Sequence, residues 1–277
     1  MEYTEIIFED ISEENKELVI ALLGNEGFEG FEENETNLKA CIASSKYDNN
    51  ILNSVLNIID VKYSKSVIKE INWNAKWEAN FEPIEIFDTK TAKPFAYLRA
   101  HFHQSNPSFL YDIIVTPKMS FGTGHHATTY LMASNMSEID FKNKSVIDFG
   151  TGTGVLAILA EKMGASDVLA IDCDDWSINN AIENLIINKC SRIQVIKDET
   201  IPTGSMADII LANINLNVII SNLPVIKESA KLGAQILFSG VLEKDEDQIL
   251  NEISNSGLQI NQVFKKDNWL AISVVNK

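Results

Sequence analysis

Cysteine is scarce in this chain. Cys41, Cys173 and Cys190 are odd in number, far apart and form no C-x-x-C pair, which leaves neither a disulfide framework nor a thiolate zinc site and fits a reducing cytoplasm. Basic side chains are also few, 23 Lys plus Arg against 39 Asp plus Glu, for a net charge of −16. Binders of duplex nucleic acid need a clustered basic face to neutralise phosphates, so that class of partner is excluded first. The Met-Glu-Tyr-Thr-Glu start lacks the basic residues and apolar run of a secretion signal. Nor does any stretch approach the roughly 18 consecutive apolar residues that cross a bilayer. The expectation is a cytoplasmic, membrane-free, monomeric protein without internal repeats or low-complexity segments.

What remains is a 277-residue chain that is 45% hydrophobic, long enough for a small domain joined to a larger one. The charge divides it. Residues 1–60 hold 14 acidic and 3 basic side chains, a balance of −11, and the rest of the chain carries only −5. Residues 3–8 alternate like a strand, and Asp10 with Glu13 reads as a capping box for a helix over about 11–23. Strand patterns at 27–32 and 37–43, a helical pattern from Ile51 to Ile59 and a strand over 66–71 complete β-α-β-β-α-β, the ferredoxin-like order. Residues 1–72 are therefore expected to form a substrate-recognition domain. Residues 73–118, where Trp73, Trp77 and Phe81 are spaced four apart, are expected to be a linker that docks by aromatic packing. From Ser145 strands alternate with helices at βαβ spacing, and two final strands joined through Lys266-Asp267-Asn268 suit an antiparallel hairpin. Residues 119–277 are thus expected to fold as an α/β domain on a seven-stranded, mostly parallel, Rossmann-like sheet.

The most informative stretch is Val146-Ile147-Asp148-Phe149-Gly150-Thr151-Gly152-Thr153-Gly154, a buried-looking strand that runs into a glycine-rich turn and then a helix. Glycines let a ligand approach the main chain closely, at the carboxyl edge of a parallel sheet where nucleotides bind. A dinucleotide fingerprint from Gly150 needs glycine at 155, where Val155 stands, and one from Gly152 meets only Ala157. No Gly-Lys-Ser/Thr follows for a P-loop. Asp172 lies 22 residues after Gly150, at the end of the next strand, where a carboxylate can accept both ribose hydroxyls. Asp174 and Asp175 read as caps of the following helix. A nicotinamide oxidoreductase or a non-catalytic nucleoside-binding module remain alternatives from the loop alone.

G-x-G-x-G followed by an acidic strand end resembles the Rossmann-like S-adenosylmethionine-dependent methyltransferases. A closer resemblance is carried by Phe121-Gly122-Thr123-Gly124-His125-His126-Ala127-Thr128-Thr129, Leu211-Ala212-Asn213-Ile214, Phe238-Ser239-Gly240-Val241-Leu242 and the Trp73…Trp77…Phe81-Glu82-Pro83-Ile84 segment. These are similar to blocks of the PrmA family, the bacterial methyltransferases of large-subunit ribosomal protein eleven. The chain departs from the family pattern at His125-His126-Ala127, for Thr-His-Pro, and at Asn215-Leu216, for Leu-Ala. The resemblance implies S-adenosylmethionine as methyl donor, contacts to it from Thr129, Gly150, Asp172 and Asn213, and that ribosomal protein as partner, methylated on lysine side chains and on the N-terminal α-amine. Another protein or small amine is the alternative acceptor, motivated by the two departures. No catalytic base is assigned. His101, His103, His125 and His126 lack the carboxylate or thiolate company of a metal site, so no metal is expected. Asn213 and His126 are expected beside the transfer pocket.

Overall fold

Thr4, Ile6 and Phe8 alternate with more exposed neighbours along β1 (Glu2–Glu9), and that alternation buries one face of a sheet. The computed structural model describes residues 2–34, 36–59, 61–69, 81–116 and 126–277. The chain divides into two compact units, 1–73 and 74–277. In the first, β1 is followed by α1 (Glu13–Asn25), β2 (Glu29–Glu33), β3 (Leu38–Ala43), α2 (Asn49–Leu56) and β4 (Lys62–Lys69). The sheet runs β2-β3-β1-β4 with every pair antiparallel, the split βαβ arrangement of a ferredoxin-like domain. Ile6, Phe8, Val19, Leu23, Leu38 and Val55 meet in its core. The cap of α1 differs from the expected Asp10–Glu13 box. Ser12 is the N-cap, its side chain accepting from the Asn15 amide at 3.4 Å, whereas Asp10 turns out of β1 at φ +52°. A residue in that left-handed conformation cannot lead directly into a helix, so the cap moves two positions along.

Residues 81–116, within the stretch read from the sequence as a docking linker, carry β5 (Ile84–Phe87), β6 (Pro94–Arg99) and β7 (Tyr111–Ile114), a three-stranded sheet that belongs to the larger unit. Its strands are too short for their periodicity to stand out. Ile86, Leu98 and Ile113 pack into the same core as Met132 and Leu159 of the main domain. Arg99, nine-tenths buried, grips Asp112 with two parallel bonds, Nε to Oδ1 at 2.7 Å and Nη2 to Oδ2 at 2.8 Å. Phe81 is buried and stacks on His103, whose Nδ1 accepts from the Ala100 amide. Trp73 and Trp77 lie outside the described residues.

The larger sheet follows from the alternation read in the sequence: β8 (Ser145–Phe149), α4 (Val155–Lys162), β9 (Asp167–Asp172), α5 (Asp175–Ile187), β10 (Ile193–Lys197), β11 (Ala207–Asn213), α6 (Leu216–Ser229), β12 (Ala230–Leu242), α7 (Glu246–Asn255), β13 (Gln259–Lys266) and β14 (Trp269–Val275), all preceded by α3 (Ala127–Met136). Strand order is β10-β9-β8-β11-β12-β14-β13, and β14 pairs antiparallel with both of its neighbours. The hairpin turns on Asp267 and Asn268, at φ +49° and +65°, the two-residue geometry whose twist matches the strands it joins. One face of the sheet is covered by α3, α4 and the small sheet, the other by α6 and α7. Two asparagines tie α5 to the free edge of β7. Asn188 Oδ1 and Nδ2 bond the amide and carbonyl of Ile114 at 2.9 and 2.6 Å, and Asn184 Oδ1 takes the Thr116 amide at 2.8 Å.

Candidate functional site

The sheet reverses its winding between β8 and β11, and the crevice at their carboxyl ends opens into a cavity of 440 Å³. Gly150 and Gly152 line it, with Asp172 at the end of β9 and Asn213 at the end of β11. The loop's amides are committed to the protein. Gly150 and Thr151 both donate to the Ile171 carbonyl, and Gly152 donates to Asp172 Oδ2 at 2.8 Å. Asp172 Oδ1 accepts from the Asp174 amide at 3.1 Å, so the carboxylate is held facing the crevice with lone pairs to spare on both oxygens. Asp174 caps α5 through the Ser177 amide, as the sequence suggests.

Beneath the loop lies a second carboxyl. Asp148 is fully buried and its Oδ2 accepts from Thr151 Oγ1 at 2.6 Å and from the Ala157 amide at 3.1 Å. Burial pushes it up to about 7, with the charge of Asp172 adding in the same direction. Two acidic groups behind a glycine loop whose amides are already occupied make a poor seat for phosphate and a good one for a cation.

Asn213 is 7% exposed, and its Oδ1 has no partner among the described residues. The Nδ2 side donates to Thr129 Oγ1 at 3.5 Å. Thr129 is itself buried in α3 and stands behind Asn213 rather than on the cavity lining. The next residue, Ile214, rests on two glycines. A Cβ at Gly150 would lie 2.1 Å from Ile214 Cγ2, and one at Gly240 would lie 2.2 Å from the Ile214 carbonyl oxygen. Gly240 stands at φ +89° in a bulge of β12, so both space and backbone require glycine there. Asn215 lines the cavity and caps α6, its Oδ1 accepting from the Val218 amide at 3.1 Å.

The far wall is Trp269. Because β14 runs antiparallel, its first residue stands at the carboxyl edge of the parallel strands. His126 meets the indole in a T-shaped contact, ring centroids 4.7 Å apart, and caps α3 by accepting from the Thr128 amide with Nδ1. Along the edge the order is Asp172, Gly150, Asn213, Gly240, Trp269. At about 4.8 Å per strand, Asn213 stands about 10 Å from Asp172, and Trp269 lies two strands away on the other side, level with Leu242 and so further out along the strands. The structure thus brings together three of the four cofactor contacts named from the sequence and places Thr129 behind one of them. Phe121 to His125 lie outside the described residues. Asp148 and Gly240 sit inside motifs of the sequence but carry no role there, and Trp269 is unmarked. The hairpin signal at Asp267-Asn268 was the clue to Trp269, since a residue that opens an antiparallel last strand must return to the active edge.

Among the described residues nothing in this crevice suits a pyrophosphate, while Asp172, two strands away from Asn213, suits a ribose at one end and leaves the amide for a reacting group at the other. The Cβ-free cradle and the orphaned Asn213 oxygen fit a nucleoside that carries a cationic sulfonium, and the fold and site are those of the Rossmann-like, S-adenosylmethionine-dependent methyltransferases. The family model described as Ribosomal protein L11 methyltransferase (PrmA) matches residues 5–277, and the chain belongs to that family. A protein of Porphyromonas gingivalis named Ribosomal protein L11 methyltransferase is 38% identical over 264 residues, covering 92% of this chain and 89% of its own. One of the same name from Phocaeicola vulgatus is 36% identical over 287 residues, covering 100% of both chains. Among solved structures, ribosomal protein L11 methylase from Lactobacillus delbrueckii subsp. bulgaricus matches with a TM-score of 0.61 at 27% identity, over 66% of this chain and 95% of that one. No helix among the described residues is long and apolar enough to cross a membrane.

Proposed function

We propose that this protein transfers methyl groups from S-adenosylmethionine to amines of ribosomal protein L11, both lysine side chains and the N-terminal α-amine. The observation that carries the reading is Asn213, a residue that lines the cavity about two strands from Asp172 and whose buried Oδ1 has no partner among the described residues. Leaving such an atom unpaired costs about 1–3 kcal/mol, which an arriving amine N–H returns at the point where it is needed. Bound there, S-adenosylmethionine supplies an electrophilic methyl on sulfur, taken by the amine lone pair as the C–S bond breaks and a neutral thioether leaves.

The chain's own contribution is placement. Asp172 accepts the ribose hydroxyls, Thr129 holds the Asn213 amide in one orientation, and Asn213 Oδ1 accepts one N–H so that the lone pair faces the donor. A lysine has a pKa of about 10.4 in water and must lose its proton first. A cavity with a cationic ligand and an apolar wall favours the neutral amine, so alignment replaces a dedicated base. Residues 1–72 are assigned to holding the substrate protein, and the larger unit, which includes the small sheet of residues 81–116, to catalysis. The balance of −11 in the first 60 residues suits a lysine-bearing partner. The protein acts as a monomer in the cytoplasm, on protein rather than duplex nucleic acid. Incubation with labelled S-adenosylmethionine and L11 transfers label to L11, and label no higher than in an enzyme-free blank refutes the assignment.

A further inference from the structure

Trp269 has no part in the contacts described for the cofactor, yet it closes the cavity opposite Asp172. The ribose end is fixed at β9, and Asn213 lies two strands further along the edge. Trp269 lies two strands beyond that, so the room between Asn213 and Trp269 is left to the acceptor. The indole is half-buried, and the T-shaped contact with His126 fixes its tilt. His126 is in turn anchored as the cap of α3, with Nδ1 also 2.8 Å from Thr128 Oγ1. A braced indole on the wall of a cavity that Asn213 also lines offers an alkylammonium a π face for its charge, with the Asn213 amide as an acceptor for one N–H.

We infer that Trp269 is a substrate-binding residue for the acceptor amine, its ring face receiving the lysine ammonium on entry and the methylated ammonium after transfer. The inference rests on the function proposed above and deepens it. The two contacts divide the work by chemistry. Asn213 Oδ1 needs an N–H and loses its bond as hydrogens on nitrogen are replaced by methyl. The attraction of a ring face for a cation does not depend on N–H and survives every replacement. Trp269 therefore retains its hold on an amine that already carries a methyl group, while Asn213 acts most strongly on the unmodified one.

The test uses full-length wild type, Trp269→Phe and Trp269→Leu, with L11 as acceptor and with calorimetry of S-adenosylmethionine and its uncharged product S-adenosylhomocysteine. Trp269→Leu is expected to lower kcat/KM for L11 roughly three- to thirtyfold, chiefly through KM, and Trp269→Phe to retain most of it. The ratio of S-adenosylmethionine to S-adenosylhomocysteine affinity stays within about twofold of wild type in both. If Trp269→Leu fails to bind S-adenosylhomocysteine, and so fails to fold, Trp269→Met decides in its place. Wild-type kcat/KM in the aliphatic variant overturns the inference. So does a fall in the affinity ratio, because the ring would then serve the sulfonium and not the amine. Unlabelled L11 with wild-type enzyme refutes the underlying function itself, whereas normal labelling by wild type and the aliphatic variant alike refutes only the role of Trp269.

Discussion

Replacing Asp148 by asparagine isolates the cost of a buried carboxyl beneath the glycine loop. Asp148 is 0% exposed and is pushed from 3.8 to about 7, mainly by burial. Below pH 3.8 folded and unfolded chains both carry the proton, and the group is neutral to stability. Between 3.8 and about 7 the unfolded chain ionises while the folded one keeps its proton, so stability falls as pH rises, and above about 7 the full cost is present. About three units at 1.36 kcal/mol each amount to about 4 kcal/mol, of which about 2–3 falls between pH 5 and pH 8. The amide in Asp148→Asn stays neutral throughout, and its oxygen can take the same two donors, the Thr151 hydroxyl and the Ala157 amide. Urea unfolding of Asp148→Asn and wild type, followed by tryptophan fluorescence at both pH values, should show the variant gaining about 2–3 kcal/mol on wild type at the higher pH. The same ionisation favours a cation in the cavity. Affinity for S-adenosylmethionine should therefore rise with pH through about 7 in wild type and stay flat in the variant. A stability difference that is the same at both pH values refutes the buried-carboxyl argument.

Four further outcomes follow from the site. Asp172→Ala weakens S-adenosylmethionine binding by at least about 1 kcal/mol in calorimetry, since it removes ribose acceptors and releases the Gly152 amide. Gly240→Ala drives a Cβ to 2.2 Å from the Ile214 carbonyl at φ +89°, and should cost about 1–3 kcal/mol of stability together with cofactor affinity. Asn215→Ala removes the cap of α6 and lowers stability by about 1 kcal/mol in denaturant titration, while cofactor binding is retained. Cys173 is exposed on the cavity lining, whereas burial pushes Cys190 up to about 11. A thiol reagent followed by mass spectrometry should label Cys173 first, and S-adenosylmethionine should slow that labelling but leave Cys190 unchanged.

The parts of this molecule that depend on neighbours in sequence were readable there. Gly150 and Gly152 announce a site because a strand that turns directly into a helix needs them, and Asp172 is placed by the length of one βαβ step. The residues that escaped depend on partners far along the chain. Gly240 matters only because Ile214 lies across it, and Trp269 only because β14 inserts antiparallel beside β12. Asp148 reads in sequence as one more strand residue, and burial beneath Thr151 and Ala157 is what changes its chemistry. Thr129 was reached through the resemblance alone, and its place behind Asn213 explains why no local pattern marks it. The Asp10–Glu13 box failed on a single backbone angle, which composition does not report.

The asparagine ties between α5 and β7 have a consequence for how the protein behaves in a crowd. A short outer strand ordinarily presents a row of bare amides and carbonyls on which another chain can build, the first step of aggregation or domain exchange. Here Asn188 and Asn184 imitate part of a further strand, Asn188 meeting both the amide and the carbonyl of Ile114 and Asn184 accepting from the Thr116 amide. That end of the edge is occupied by side chains of the molecule's own helix, which shortens the template open to a foreign strand for as long as α5 remains folded.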